Sequence, residues 1–115
     1  MQRNFIVIEP DQVIAMDLEG ILQSRYATAR VALAISLQEV GNVIGVSGIG
    51  TTIFVSETLT SYSTDVRRVL ATAATRGSHI VVIGQPHSVE FPVTFIDMPF
   101  TSEMVIEVVE KHPPI

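Results

Sequence analysis

The chain predicts an α/β fold of the doubly wound type, a parallel sheet with helices on both faces. Three observations predict it. Short all-apolar runs, Phe5-Ile6-Val7-Ile8 and Ile80-Val81-Val82-Ile83, read as strands covered on both sides. Segments with apolar residues at helical spacing lie between the strands. Cap and turn residues punctuate the junctions, so that strand and helix alternate.

The elements follow in order. Phe5–Ile8 is the first strand. Asp11 to about Ser24 carries Ile14, Leu18, Ile21 and Leu22 at i, i+4, i+7 and i+8, one stripe of a helix. Ala29–Ile35 is a second strand. Ser36 and Glu39 have the spacing of a capping box, and Leu37, Val40 and Ile44 give a short helix its inner face. Gly45 to Gly50 must turn, and Thr52–Val55 is a β-branched and aromatic strand. From about Ser63, the positions Val66, Val69, Leu70, Ala73 and Ala74 form another amphipathic helix, with Gly77 placed to end it. Ile80–Ile83 and Val93–Ile96 are the last strands. Thr101 or Ser102 caps a final helix with Val105, Val108 and Val109 inward, stopped by Pro113-Pro114. Parallel strands with helical crossovers place ligands beyond the carboxyl ends of the strands. The segments of interest are therefore Glu9–Asp11, Ser56–Leu59, Gly84–Pro86 and Asp97–Phe100.

At 115 residues the chain reads as a single domain, residues 1–115, able to bury its own core. The 47% apolar content is high against 17% charged, which suggests an additional buried face such as an oligomer contact. The net charge of −5, with no cluster of Lys or Arg, argues against nucleic-acid binding. The absence of cysteine excludes disulfides and thiolate metal sites. No apolar run is long enough to span a membrane, and no signal segment opens the chain, so the expected location is cytoplasmic.

Three stretches, FIVIEPDQVIAMDLEGIL, TTIFVSETL and FIDMPFTSEM, together resemble the receiver domain of two-component response regulators over nearly the full chain. The resemblance implies the flavodoxin-like, CheY-like topology: a five-stranded parallel sheet in the order 2-1-3-4-5. It also implies a site. In the family, two acids after the first strand help hold magnesium, and an aspartate ending the third strand accepts a phosphoryl group. A Thr or Ser ends the fourth strand and a Lys the fifth. Those positions fall here on Glu9, Pro10, Ser56, Gly84 and Met98, with Asp11 one residue late. Only Glu9 keeps the expected chemistry.

Each replacement has a physical meaning. Magnesium needs near-octahedral oxygens, and Pro10 offers no side-chain oxygen. An unactivated Ser56 is a poor nucleophile. Gly84 has no hydroxyl and Met98 no charge. Carboxylates about 4 Å apart repel by roughly 4 kcal/mol at an effective dielectric near 20, so neutral Pro10 and Ser56 relieve an acidic site of that repulsion. No catalytic residue, metal ligand set or cofactor is therefore expected, and no enzymatic activity.

Other features read plainly. Gly45 to Thr52 lacks the lysine and the following helix of a phosphate loop. His79, His87 and His112 are scattered without ligand spacing. Glu103, Glu107 and Glu110 form a solvated helix face. Thr58, Thr60, Ser61, Ser63 and Thr64 form a polar loop that caps the next helix. The family usually has Met98-Pro99 as a cis bond. Gly84 to Met98 is too short for the family's fourth helix, and Pro86 and Pro92 interrupt it, so that helix is expected to be shortened or absent. The sheet face beside it would then be bare and would dock a partner. Phe91, Val93, Phe95, Pro99 and Phe100 are the candidate switch or interface residues.

The expected function is a degenerate receiver acting as a protein-interaction or dimerisation module, independent of phosphorylation, in two-component signalling. Its partners would be signalling proteins and a second copy of itself. The alternatives are a phosphoacceptor switch using the displaced acids Glu9, Asp11 or Glu57 or the hydroxyl of Ser56, and a small-ligand sensor at the strand ends.

Overall fold

The computed structural model describes residues 3–34, 39, 41 and 50–112. The strands are β1 (Asn4–Ile8), β2 (Arg30–Ala34), β3 (Thr51–Ser56), β4 (His79–Ile83) and β5 (Thr94–Ile96). The helices whose bounds lie among the described residues are α1 (Gln12–Arg25), α2 (Glu57–Tyr62), α3 (Thr64–Thr75) and α4 (Ser102–Glu110). All strand pairs are parallel, in the order β2-β1-β3-β4-β5. The expected topology is therefore the observed one. The capping box at Ser36 and Glu39 and the glycine turn at 45–49 lie outside the described residues, apart from Glu39.

Alternation along the central strands divides the core in two. Ile6, Ile8, Ile53, Val55, Ile80 and Val82 face one side, where Val66, Leu70 and Ala73 of α3 cover them. Phe5, Val7, Phe54, Val81 and Ile83 face the other, against Ala15, Leu18 and Leu22 of α1 and Val105 and Val109 of α4. Each fully buried leucine or isoleucine contributes about 1.5–3 kcal/mol relative to exposure. The all-apolar runs are thus explained by burial on both faces.

Helix ends follow from local chemistry. Asp11 caps α1, and Thr101 caps α4 through the Met104 N–H at 3.2 Å. Ser63 caps α3, which ends in a Schellman motif: the Gly77 and Ser78 N–H groups donate to Ala74 and Ala73 carbonyls. Gly77 has φ +96, where a Cβ would be strained. The polar stretch before Ser63 is not a loop. Glu57–Tyr62 forms α2, a short helix that starts directly at the end of β3. Tolerable helix propensity and the turn needed to leave a buried strand outweigh the polar composition that suggested a loop.

Between β4 and β5 there is no helix, as the two prolines predict. The face beside them is not bare, however. The irregular segment 84–93 lies over it, with Phe91 only 7% exposed within the α3-side core and Val89, Val93 and Phe95 packed against that core. Expecting an open face overlooked the ability of one large aromatic in a loop to replace a helix stripe. Among the described residues, no helix is long and apolar enough to cross a membrane.

At the amino ends of the strands, histidines that look scattered in sequence meet. His79 opens β4, with Nε2 3.0 Å from Thr94 Oγ1, and its ring stacks on His112 at 3.4 Å. Nearby, Glu110 of α4 bridges Arg3 at 3.0 Å and Arg25 at 3.1 Å, so it is more than a solvated charge. Burial, and then the neighbouring His112, lower the His79 pKa from 6.5 to about 4. Between those values the unfolded chain takes up a proton that the folded chain refuses. The neutral imidazole's contribution is thus complete above about pH 6.5 and is lost as pH falls towards 4. His79→Asn should flatten the pH dependence of urea-denaturation midpoints across this window; parallel profiles for the two proteins would refute the assignment.

Candidate functional site

The carboxyl ends of β1, β3, β4 and β5 open onto one cavity of about 370 Å³, lined by Glu9, Asp11, Ser56, Glu57, Gly84 and Met98 among others. Of the six positions singled out in the sequence, five line it. Pro10 is exposed and stands outside the lining.

Pro10 explains how the two acids beside it are used. It has no N–H and its φ is fixed. The chain turns there, and Glu9 Oε2 accepts from the Asp11 N–H at 3.0 Å. Asp11 Oδ1 in turn accepts from Val13 N at 2.9 Å and Ile14 N at 3.3 Å, which anchors α1. Both carboxylates therefore serve the backbone. Glu9 is 7% exposed, and burial raises its pKa; the Asp11 N–H lowers it and the Asp11 charge raises it again. The contribution of protonated Glu9 is present below its ordinary value of 4.5 and is lost as pH rises through the elevated one.

Ser56 ends β3 as a buried residue and precedes α2, but its hydroxyl makes no capping bond to that helix. The next residue, Glu57, which the sequence offered only as a displaced phosphoacceptor, has a structural role here. Its Oε1 accepts from the Gln85 N–H at 2.6 Å and so ties α2 to the segment after β4. Its side chain fills the space beside Gly84. A Cβ on Gly84 would collide with Glu57 Oε1 and Glu57 Cβ and lie 3.0 Å from Glu57 Cδ. Gly84 also has φ +138, a region that side chains disfavour, while its N–H donates to Ile96 O at 2.8 Å. Glycine at 84 and glutamate at 57 are therefore one fitted pair. The only sequence signal for it was an acid following a strand-end serine.

Met98 is 44% exposed, and the Met98-Pro99 bond is cis. The candidate switch residues do not form one surface. Phe91, Val93 and Phe95 belong to the α3 side of the sheet, whereas Phe100 packs on the α1–α4 side. Phe95 is half-buried, with its ring centroid 5.4 Å from that of His87 in a T-shaped arrangement. Pro99 and Phe100 instead line a shallow cavity of about 430 Å³ with Val13, Ile14 and Met16 of α1.

The geometry agrees with solved structures. A response regulator receiver domain protein from Bacillus halodurans superposes with a TM-score of 0.78 at 14% identity, covering 100% of each chain. The fold is that of response regulator receiver domains. A receiver domain of a sensor histidine kinase from Pseudomonas aeruginosa, with magnesium coordinated in its active-site cleft, gives 0.73 at 11% identity, over 97% of this chain and 98% of that one. NtrX from Brucella abortus, in complex with ATP, gives 0.69 at 16% identity, over 97% of this chain but 26% of that one. No protein-family model and no curated protein matches the sequence.

The receiver fold implies magnesium, and the residues do not fit it. Among the described residues no group of three or more His, Asp or Glu side chains could hold a metal. Glu9, Asp11 and Glu57 each have one oxygen committed to a backbone N–H, and Pro10 supplies none.

The Glu57–Gly84 fit is testable. Gly84→Thr should destabilise the protein by about 2–4 kcal/mol through backbone strain and overpacking. Adding Glu57→Gly, which removes both the Cβ and the carboxylate that crowd position 84, should recover the overpacking part, roughly 1–3 kcal/mol. Additive effects in denaturant melts of the two single variants and the double variant would show that the residues do not compete for space.

Proposed function

We propose that the chain is a degenerate receiver that recognises protein partners in a two-component or phosphorelay pathway, without accepting a phosphoryl group and without catalysing a reaction. The observation that supports this most is the composition of the strand-end cavity. Its acids are committed to the backbone, Ser56 stands at the phosphoacceptor position, and no Lys, Arg or His lines it. A phosphoryl group placed there would meet carboxylates and no compensating cation, at an unfavourable Coulomb energy. The displaced-acid alternative loses support for the same reason, since Glu9, Asp11 and Glu57 already accept backbone hydrogen bonds.

Recognition would then use surface outside the cavity. Val13 is 77% exposed and Met16 65%, and with Met98, Pro99 and Phe100 they make an apolar patch between α1 and the β5–α4 connection. Methionine-rich apolar patches suit protein contacts. A second copy of the chain is the simplest partner, because a two-fold axis sets the same patch on both sides. The expected setting is cytoplasmic.

Incubation with acetyl phosphate and Mg²⁺ should leave the intact mass unchanged; a labile phosphoryl adduct on any acid would overturn the reading. Sedimentation at micromolar concentration should show a dimer that Met16→Asp shifts to monomer by at least tenfold in Kd. A wild-type monomer would remove the self-association part.

A further inference from the structure

His87 lies in the β4–β5 segment and touches α2 through one side chain. Its Nδ1 is 3.0 Å from the Gln85 carbonyl oxygen. A carbonyl can only accept, so Nδ1 carries a proton whether the ring is neutral or charged. Its Nε2 is 2.8 Å from Thr60 Oγ1, and the same Oγ1 is 3.1 Å from the Glu57 carbonyl oxygen. Thr60 is 0% exposed, so water does not supply a substitute donor to its hydroxyl.

One hydroxyl proton thus faces two acceptors, and the charge on His87 selects between them. When His87 is neutral, Nε2 is a bare lone pair, and the Thr60 hydroxyl turns to donate to it. When His87 is charged, Nε2–H donates to Oγ1, and the hydroxyl proton turns to the Glu57 carbonyl. Each state pairs every ring nitrogen, so the fold accommodates both. Histidine is the side chain whose charge ordinarily changes between about pH 5 and 8. We propose that Thr60 and His87 form a proton-operated hydroxyl rotor that couples the β4–β5 segment to α2.

The charged groups around the pair come from each neighbouring element. From α2 comes Glu57, its carboxylate held by the Gln85 N–H. From α3 comes Arg67, whose Nη1 donates to the Thr60 carbonyl at 2.7 Å. Glu90, in the His87 segment itself, lies 3.7 Å from Arg67 Nε and offsets it. Phe95 of β5 contributes an uncharged ring in T-shaped contact with His87. The rotor's second acceptor is the backbone carbonyl of Glu57, the residue whose side chain fills the space at Gly84. This inference rests on hydrogen-bond complementarity and is independent of the proposed function.

Nuclear magnetic resonance of the full ¹⁵N-labelled chain tests it. In wild type, neutral His87 should be the Nδ1–H tautomer, with Nε2 gaining its proton on acidification. The amides of Thr60 and Ser61 should shift with the same midpoint as His87. Thr60→Ser should retain that coupled step, and Thr60→Val should abolish it while His87 still titrates. An Nε2–H neutral tautomer, or α2 amides indifferent to His87 titration in wild type and Thr60→Ser, would overturn the proposal. The wild-type and serine spectra decide the matter even if the valine variant fails to fold.

Discussion

β1, β3 and β4 are apolar on both faces, and that double burial constrains the rest of the molecule. A sheet of this kind is stable only with a helix or its equivalent on each side. Leu70 and Val66 supply one cover, and Leu18, Leu22 and Val105 the other. Polar side chains are thereby confined to the ends of the strands. At the carboxyl ends sit Glu9 and Ser56; at the amino ends, His79 stacks on His112.

The same constraint accounts for the form of the β4–β5 connection. Pro86 and Pro92 prevent a full helix there, yet the sheet edge still needs apolar cover. Phe91 provides it from irregular backbone, helped by Val89 and Val93. An irregular segment leaves more backbone groups to satisfy than a helix does. Two side-chain contacts help meet that need: Glu57 of α2 accepts from Gln85 N, and His87 Nδ1 donates to the Gln85 carbonyl. Packing and polar pairing in this region are one arrangement.

Much of the fold was legible because period and capping are local. The helix stripe of Leu18 and Leu22, the Ser63 cap and the Gly77 terminus depend on residues within a turn or two of one another. The positions of the cavity were legible because strand ends converge in a parallel sheet, whatever the residues. The role of Glu57 was not, since it depends on space left by Gly84, far away in sequence. Likewise, the pairing of His87 with Thr60 needs a three-dimensional neighbour, and neither residue has a motif. α2 was hidden because Thr58, Thr60 and Ser61 resemble a loop in composition. The bare face was a false expectation because hydropathy does not tell which way one phenylalanine in a loop will turn.

The interlock at 57 and 84 also bears on descent. A lineage that once carried a side chain at position 84 could accept glutamate at 57 only after that side chain had gone. With glycine at 84 and glutamate at 57 in place, a side chain introduced at 84 alone meets an occupied space and a disfavoured backbone angle. The way back needs two coordinated steps, with a less stable intermediate between them. Such an arrangement behaves as a ratchet: space and backbone geometry at two distant positions resist any single substitution at 84.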